Sequence, residues 1–241
     1  MTAPHDTRFL VVGAGGLGGP VSYALAAAGA ASITVCDDDV VDLSNLQRQI
    51  QFTTADVGRP KVQALGDELT RRGYASQRYT GVCERFSAKT AARLLDDVDV
   101  VIDGSDNFVT KFAVNDVSVA AELPFVIGGV LRYTGQVLAA IPGQTGCYRC
   151  VFEAPPEDDD ANSCAQAGVL GAVVGVIGGE LAAAALALAA GDASCAGSIR
   201  LYNDIASAEP PRTIRFNRRP GCGACDRATM VERTRSSHDQ L

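Results

Sequence analysis

The chain has 241 residues, of which 47% are hydrophobic and 20% are charged, and its formal net charge is −7. This composition is ordinary for a soluble globular protein that is long enough to bury a large core. The acidic balance and the absence of a Lys/Arg-rich run argue against a nucleic-acid partner. The only histidines are His5 and His238, near the two ends. A Ser-His-Asp triad, a His-ligated metal and a histidine proton relay are therefore disfavoured, and the chemistry must need no histidine.

The chain alternates between short apolar runs and helical stretches. Strands are predicted at Phe9–Val12, Ile33–Val35, Gln77–Val82, Val98–Ile102, Phe125–Ile127, Gly135–Ile141, Ile199–Tyr202 and Thr213–Phe216. Helices are predicted after the first strand as far as Gly29, then at Lys61–Arg72, Ala88–Asp96, Asn107–Ala121 and Ala167–Ala190. The early strands lack two-residue alternation, which indicates burial on both faces. The sequence therefore predicts a Rossmann-like α/β fold. Its central sheet is mainly parallel and covered by helices on both faces, and its C-terminal strands are antiparallel.

One domain is predicted over residues 1–225, without internal repeats. It comprises a nucleotide-binding part at 8–141, an acidic crossover linker at 153–163, and a long Ala/Gly helix with the C-terminal strands at 165–225. The polar tail at 226–241 is predicted to be disordered.

The long Ala/Gly stretch has about the length of a membrane span. It carries Glu180 at its centre, however, so a buried or subunit-interface helix is the better interpretation. Residues 1–10 show no signal peptide. The expectation is a cytoplasmic protein without membrane association.

A glycine motif, GAGGLG, lies between the first strand and the first helix. Its glycines are Gly13, Gly15, Gly16 and Gly18. Such a loop permits a tight turn and lets backbone N–H groups approach a phosphate at the helix N-terminus. Asp37, at the end of the second strand, is placed to accept hydrogen bonds from a ribose. The motif predicts a nucleotide-binding site but does not distinguish NAD from ATP. An NAD-dependent oxidoreductase therefore stays open as the function at this point.

A dense polar segment follows Asp37 and leads to Lys61. It contains Ser44, Asn45, Gln47, Arg48 and Gln49. Arg48 offers a guanidinium fork for phosphate oxygens, Lys61 a point charge and Asn45 a neutral donor. Each residue alone would suit a solvated loop or a helix cap, but the set favours a triphosphate over a dinucleotide.

Two C-x-x-C pairs, Cys147/Cys150 and Cys222/Cys225, lie far apart in the sequence. Four paired thiolates from two loops are typical of a tetrahedral structural zinc site, and a single redox pair is the rival interpretation. Zinc would pin the C-terminal end of the chain to the end of the sheet. Four protein ligands leave no open position, so a catalytic zinc is not expected.

The remaining cysteines are Cys36, Cys83, Cys164 and Cys195. Cys36 and Cys83 lie in or beside apolar strands and are interpreted as small core residues, and Cys195 has no assignment. Cys164 follows the acidic linker and precedes the long helix, a setting that can favour a thiolate nucleophile. A chemical role and a helix-capping position both stay open for it.

Together these motifs resemble the ThiF/MoeB/HesA family of adenylyltransferases, which are similar to ubiquitin-activating enzymes. The matching stretches, in family order, are GAGGLG at 13–18, the acidic cluster at 37–39, SNLQRQ at 44–49, RPK at 59–61, GSDN at 104–107, GGVLRYTGQ at 128–136, CYRC at 147–150, CAQAGVLGAVVGVIGG at 164–179 and PGCGAC at 220–225. The resemblance covers nearly the whole chain.

The resemblance implies ATP and Mg²⁺ as cofactors. It places Gly16, Asp37 and Asp39 at the nucleotide, the stretch Ser44–Arg48 on its phosphates, Lys61 on the α-phosphate, and Asp106 on Mg²⁺ with Asn107 beside it. Asp106 follows a strand at the sheet edge where α/β proteins bind ligands. A carboxylate with few protein co-ligands suits Mg²⁺, and Asp103 is the local alternative.

The resemblance also implies an activity. Such an enzyme adenylates the C-terminal glycine carboxylate of a small ubiquitin-like sulfur-carrier protein ending in Gly-Gly and releases pyrophosphate. Thiocarboxylate formation follows, for thiamin, molybdopterin or another sulfur-containing metabolite. Arg48, Lys61 and Asp106 would be the catalytic residues. In the ThiF-like branch, a cysteine at the place of Cys164 can become covalently linked to the carrier.

The resemblance implies a homodimer, and the sequence departs from the family at its start. Members usually carry an arginine before the first strand that reaches into the partner subunit's ATP site, whereas here Arg8 is the sole arginine in that region. A divergent member with weak or no adenylation is therefore an alternative, as is a relative that adenylates a peptide or RNA. No rhodanese-like extension is present, so the sulfur donor is expected to be a separate protein.

Overall fold

The computed structural model describes residues 4–156, 168–205, 207 and 209–226. Cys164, residues 157–163 of the acidic linker and residues 227–241 of the predicted tail lie outside the described residues.

One eight-stranded sheet runs through the molecule. The strands are Arg8–Val12 (β1), Ser32–Cys36 (β2), Tyr79–Val82 (β3), Val100–Asp103 (β4), Phe125–Leu131 (β5), Thr134–Ala140 (β6), Ser198–Tyr202 (β7) and Arg212–Arg215 (β8). Their order is β3-β2-β1-β4-β5-β6-β7-β8. The strands from β3 to β5 pair in parallel, and β6, β7 and β8 add antiparallel pairs. The predicted fold class is confirmed.

Helices cover both faces of this sheet. They are Gly18–Ala27 (α1), Lys61–Arg71 (α2), Ala88–Leu94 (α3), Phe108–Ala120 (α4), Tyr148–Val151 (α5) and Gly171–Ala189 (α6). Side chains of α1, α2 and α6 form one core cluster with the sheet, and those of α3, α4 and α5 contribute to a second cluster on the other face. Within β1, Phe9 and Val11 belong to the first cluster, and Leu10 and Val12 to the second. Burial on both faces explains why the strand is apolar throughout.

The order of the strands creates a crevice between β1 and β4. The chain moves from β1 outward to β2 and β3 and then returns to β4 on the other side of β1. Ligands of α/β sheets bind at such a switch point, outside the carboxyl ends of the strands. The loops after β1 and β4 meet there. Gly13, with φ of +95°, lies so close to Gly104 that an added Cβ would be 3.0 Å from its carbonyl carbon.

Helix α6 packs against α1, β5 and β6. Among the described residues it is the one helix that is long and apolar enough to cross a membrane by length and composition, with a mean hydropathy of 2.0. Half of its most apolar stretch is buried within the protein. Its buried side includes Val173, Ile177 and Leu181, so the helix forms part of the core.

Several predicted bounds shift by one or two residues, as at β3 and β4, and two differences are larger. Strand β5 continues past Ile127 to Leu131, because Gly128 and Gly129 pair with Val137 and Gln136 of β6 instead of ending the strand. The short helix α5 was not predicted. It is a single turn that begins directly after Cys147 and includes Cys150, and one turn is too short to show an apolar period.

Candidate functional site

Asp37 connects the end of β2 to the glycine loop. Its carboxylate accepts hydrogen bonds from the backbone N–H of Ala14 at 2.6 Å and of Asp39 at 2.8 Å. Burial raises the pKa of Asp37, and the two hydrogen bonds oppose this rise. An ionised carboxylate has about four lone-pair sites. Two lone-pair sites of Asp37 therefore remain for further donors such as ribose hydroxyls.

The predicted phosphate-binding segment forms a short turn at Leu43–Asn45. Asp42 caps this turn by accepting hydrogen bonds from the backbone N–H and the hydroxyl of Ser44. The guanidinium of Arg48 donates to Asn45 Oδ1 at 2.7 Å. Asn45 thus orients the arginine, and the Asn45 amide nitrogen remains a neutral donor. Gln47 is exposed beside them, whereas Gln49 is buried.

Lys61 is the first residue of α2, and its side chain is only 6% exposed. Its Nζ lies 2.7 Å from Asp39 Oδ2, and the Asp39 side chain is 67% exposed. The structure therefore brings together two residues that the sequence assigned separately to the nucleotide. Asp39 is the exposed member of this pair, and Lys61 is the buried one.

Two carboxylates follow β4, and the structure distinguishes between them. Asp103 is fully buried, where it accepts hydrogen bonds from Lys111 Nζ at 2.8 Å and Ser105 Oγ at 2.6 Å. Asp106 is exposed at the end of the same loop. Asn107 caps α4 by accepting a hydrogen bond from the Thr110 N–H at 2.8 Å. Asp106 is thus the carboxylate that is accessible to a solvated cation.

Sequence analysis missed Lys111, whose side chain is buried on α4. Besides Asp103, its ammonium contacts the carbonyl oxygens of Ser105 at 2.6 Å and Gly128 at 2.5 Å. These contacts hold the loop after β4 against β5. A lysine near the start of a mostly apolar helical stretch was the available signal.

The two C-x-x-C pairs come together as predicted. The four Sγ atoms of Cys147, Cys150, Cys222 and Cys225 all lie within 4.8 Å of one another. The Sγ–Sγ distances are 3.8 Å for 147–150, and 3.7 Å for both 147–222 and 150–225. A tetrahedral zinc site with Zn–S bonds of about 2.3 Å has S–S edges of about 3.8 Å. The cluster therefore fits a structural zinc ion, and its four thiols argue against a single redox pair.

The surroundings of the cluster act on the ionisation of its thiols in both directions. The Arg219 N–H donates to Cys150 Sγ at 3.3 Å, a contact that stabilises a thiolate. Hydrogen bonding to Cys225 and burial raise the pKa of the Cys147 thiol, so a cation is needed to keep it ionised. The Tyr148 N–H donates to Asn115 Oδ1, which fixes α5 on α4.

The other cysteines differ from one another. Cys36 is buried in β2, as predicted. The prediction that Cys83 is a core residue is wrong. It is exposed, because β3 ends at Val82 and the chain leaves the sheet there. Cys195 is half-buried.

Arg8 lies at the edge of the sheet opposite to the glycine loop. It is the first residue of β1, and its guanidinium pairs with Asp97 at 2.7 Å and Asp99 at 3.0 Å. The Arg8 guanidinium holds the pKa of Asp99 below its usual range. Arg8 is therefore an ion-pair partner at the start of the strand and is remote from the glycine loop.

A glycine loop at the switch point of a mainly parallel sheet defines a Rossmann-like nucleotide-binding domain. The four-cysteine cluster gives this domain a candidate metal centre. Residues 3–224 match the model of the ThiF family. The chain belongs to the ThiF family, and the resemblance found in the sequence is confirmed.

Two relatives match over most of their own length. The sulfur carrier protein ThiS adenylyltransferase of Escherichia coli (strain K12) is 37% identical over 221 residues, covering 91% of this chain and 86% of that protein. The sulfur carrier protein adenylyltransferase of Thermus thermophilus is 38% identical over 237 residues, covering 92% of this chain and 84% of that protein. The crystal structure of E. coli MccB with ATP superposes with a TM-score of 0.77 at 23% identity, over 93% of this chain and 68% of that one. At that identity the superposition shows the fold alone.

Proposed function

We propose that this chain is an ATP-dependent adenylyltransferase that activates the C-terminal glycine carboxylate of a small ubiquitin-like sulfur-carrier protein. One observation carries the proposal. The glycine loop, the cations of the segment from Arg48 to Lys61 and the exposed Asp106 lie in loops that follow the carboxyl ends of β1, β2 and β4. The names of the two relatives that match over more than 90% of this chain support the same activity.

The reaction needs positioning and charge neutralisation. The carrier's terminal carboxylate is already ionised at neutral pH, so no general base is required. Its oxygen attacks the α-phosphorus of ATP, the bond to the bridging oxygen breaks, and pyrophosphate leaves as the acyl-adenylate forms. Arg48 and Lys61 neutralise phosphate oxygens as negative charge shifts to the leaving group. This explains how the fold can act without a histidine in its body.

The residues that would hold the nucleotide divide into three groups. The first group brings the backbone close to the nucleotide and consists of Gly13, Gly15, Gly16 and Gly18. The second group accepts hydrogen bonds from the nucleotide's hydroxyls and consists of Asp37 and Asp39. The third group surrounds the phosphates and consists of Ser44, Asn45, Gln47, Arg48, Lys61 and Asn107. Asp106 would hold Mg²⁺, which supplies further neutralisation of phosphate charge. When the phosphate binds, Lys61 Nζ must either leave Asp39 for a phosphate oxygen or contact both.

The cysteine cluster is proposed to hold one structural zinc ion. Four thiolates complete its coordination, so the ion would stabilise the C-terminal part of the fold and take no part in the reaction. We also propose a separate sulfur donor protein and a product used for thiamin, molybdopterin or another sulfur-containing metabolite. A covalent link between Cys164 and the carrier remains a proposal, and Cys164→Ala should leave adenylation intact.

A homodimer is proposed through the outer side of α6. That side exposes small apolar residues at helical spacing, namely Ala172, Gly175, Val176, Gly179 and Ala183. Among the described residues, nothing lies within 4 Å of a Cβ added at Gly179. Gly179→Arg should therefore fit the protomer and convert the dimer into a monomer in sedimentation. Gln63→Arg, on the exposed side of α2, is the control and should leave the dimer intact. A parent chain that is monomeric would contradict this proposal.

The activity is tested by ATP–pyrophosphate exchange with purified carrier proteins ending in Gly-Gly. We expect exchange that depends on the carrier and is lost when its last two glycines are removed. If no carrier supports exchange, activation of a sulfur carrier is not the function. Binding of NAD(H) in place of ATP would instead favour the oxidoreductase alternative.

A further inference from the structure

Gln51 contacts the glycine loop from inside the protein. The residue is 3% exposed, and its Nε2 donates to the carbonyl oxygens of Ala14 at 2.9 Å and Gly15 at 2.8 Å. Both partners are acceptors, so the amide nitrogen and not the amide oxygen must face them. Asp37 holds the N–H of the same Ala14. This residue of the loop is therefore fixed at its N–H and at its carbonyl.

The direction of these carbonyls determines where the loop points its N–H groups. In a trans peptide the carbonyl and the following N–H point in opposite directions. The carbonyls of Ala14 and Gly15 point at Gln51, so the N–H groups of Gly15 and Gly16 point away from it. Within the described part of the chain, neither N–H donates a hydrogen bond. With Gln51 in this position, two adjacent N–H groups at the start of a helix have no acceptor among the described residues, and such an arrangement can bind an anion.

We propose that Gln51 is a positioning residue for ATP, which orients the peptides of the glycine loop so that the N–H groups of Gly15 and Gly16 bind the nucleotide. This inference rests on the proposed function. Gln51 contacts the loop and lies on its inner side, so it acts on the nucleotide only through the backbone. Without these two bonds the Ala14 carbonyl loses its donor, and the Gly15 carbonyl keeps only the Gly19 N–H at 3.1 Å. A buried carbonyl without a donor is unfavourable, so the loop peptides would be less firmly oriented.

Gly19 shows how closely the amide is held. This glycine lies in the first turn of α1, and a Cβ added to it would be 2.4 Å from Gln51 Cδ and Oε1. The φ of Gly19 is outside the left-handed region, so alanine is acceptable to the backbone and favoured by the helix. An alanine there would therefore act by displacing the Gln51 side chain.

The first test is Gln51→Met, which keeps the length of the side chain and removes both hydrogen bonds. Gln63→Met on the exposed side of α2 is the matched control. We expect the Kd and KM for ATP–Mg²⁺ to rise at least tenfold, with kcat for carrier-dependent exchange changed less than threefold. A contribution to nucleotide binding that is equal in the ground state and the transition state has this signature. Amide hydrogen exchange of the loop at 13–19 should be faster in the variant.

The second test is a double-mutant cycle with Gly19→Ala. If Gly19→Ala acts through Gln51, it should raise the Kd for ATP in the parent chain and have little further effect in Gln51→Met, because flexible methionine can move aside. Additive effects of the two substitutions would contradict this coupling. The cycle stays informative if Gln51→Met lowers stability, since all four proteins are compared by ATP affinity at a temperature where each is folded.

The outcomes separate this inference from the proposed function. Unchanged ATP affinity and unchanged loop exchange in Gln51→Met would overturn the role of Gln51, whatever the carrier assay gives. Weakened ATP binding in Gln51→Met, together with no exchange from any carrier in the parent chain, would overturn only the assignment of the carrier. A fall in kcat at constant KM would contradict a role in nucleotide positioning.

Discussion

The Lys61 ammonium lies 2.7 Å from the Asp39 carboxylate, and only the carboxylate side of this pair is well exposed. Lys61 is tied to Asp39 through the backbone as well, since its N–H donates to the Asp39 carbonyl at 3.0 Å. The start of α2 and the end of β2 are thereby held together. The cation that we assign to the α-phosphate is therefore held near the end of β2 before any phosphate arrives, and its Nζ contact with Asp39 is the one that phosphate binding has to change.

Lys61→Met should reduce ATP–pyrophosphate exchange by at least about 100-fold, the usual effect of removing one charge-stabilising donor. The apolar part of the side chain is kept, so the packing of α2 should change little. Lys89→Met, on the exposed side of α3, is the control and should exchange normally. Normal exchange in Lys61→Met would place the phosphate elsewhere.

Asp106→Asn and Asp103→Asn should have different effects although the two residues are three positions apart. Asp106 is exposed, so its substitution should abolish exchange at ordinary Mg²⁺ concentrations while thermal unfolding stays unchanged. Partial recovery at high Mg²⁺ would be consistent with a weakened cation site. Exchange at the parental rate would exclude Asp106 as the ligand.

Asp103→Asn removes the partner of a buried ammonium. Breaking a buried ion pair on one side costs about 3–5 kcal/mol, because the remaining charge is uncompensated. We expect a loss of this order in the free energy of unfolding by urea, and a similar loss for Lys111→Met. If either variant keeps the parental stability, the Asp103–Lys111 pair does not support the loop after β4.

The zinc prediction is checked by metal analysis. One zinc ion per chain is expected, and Cys222→Ser should remove it. A strong chelator should lower the unfolding temperature of the parent chain and leave that of Cys222→Ser unchanged. Cys83→Ser is the control, because that thiol is exposed and lies outside the cluster. A metal-free chain with parental stability would contradict a structural role.

Asp37 should confer a pH dependence on ATP binding. Burial raises its pKa. Its contribution to folding stability is therefore greatest at low pH and is lost as the pH rises through the pKa of the folded state. Its ionised form, which accepts from Ala14 and Asp39, is lost as the pH falls. The KM for ATP should therefore rise on acidification. This rise should begin at a pH above the usual aspartate pKa of about 4.

Asp37→Asn provides the comparison for this pH dependence. It should show a high KM for ATP at every pH, so that the ratio of its KM to that of the parent falls on acidification. The ratio also removes the titration of ATP itself. A ratio that does not change with pH would exclude Asp37 as the titrating group.

The sequence allowed the fold class and the cysteine cluster to be predicted because both depend on local patterns. Apolar strands and C-x-x-C spacing are visible without knowledge of the tertiary structure. The roles of Asp103 and Lys111 were not visible in this way. Both flank one loop, and only the packing of α4 on β4 and β5 decides that Asp103 is neutralised and that Asp106 faces solvent.

Gln51 shows the same limit. It stands between Ile50 and Phe52 in the sequence, so a local pattern predicts a surface glutamine. Its contacts with Ala14 and Gly15 bridge more than 30 positions and arise only when the segment before α2 folds over the glycine loop. The exposed Ile50 beside it shows that apolar character was a poor guide to burial in this segment.

The position of the second cysteine pair affects the order in which the protein matures on the ribosome. All the loops that we assign to the nucleotide are synthesised by residue 107, whereas Cys222 and Cys225 emerge among the last of the described residues. Helix α6, which covers one face of the sheet, also emerges late. The side of β5 and β6 that α6 covers is therefore exposed until α6 has been synthesised, and apolar surface exposed in this way is prone to aggregation.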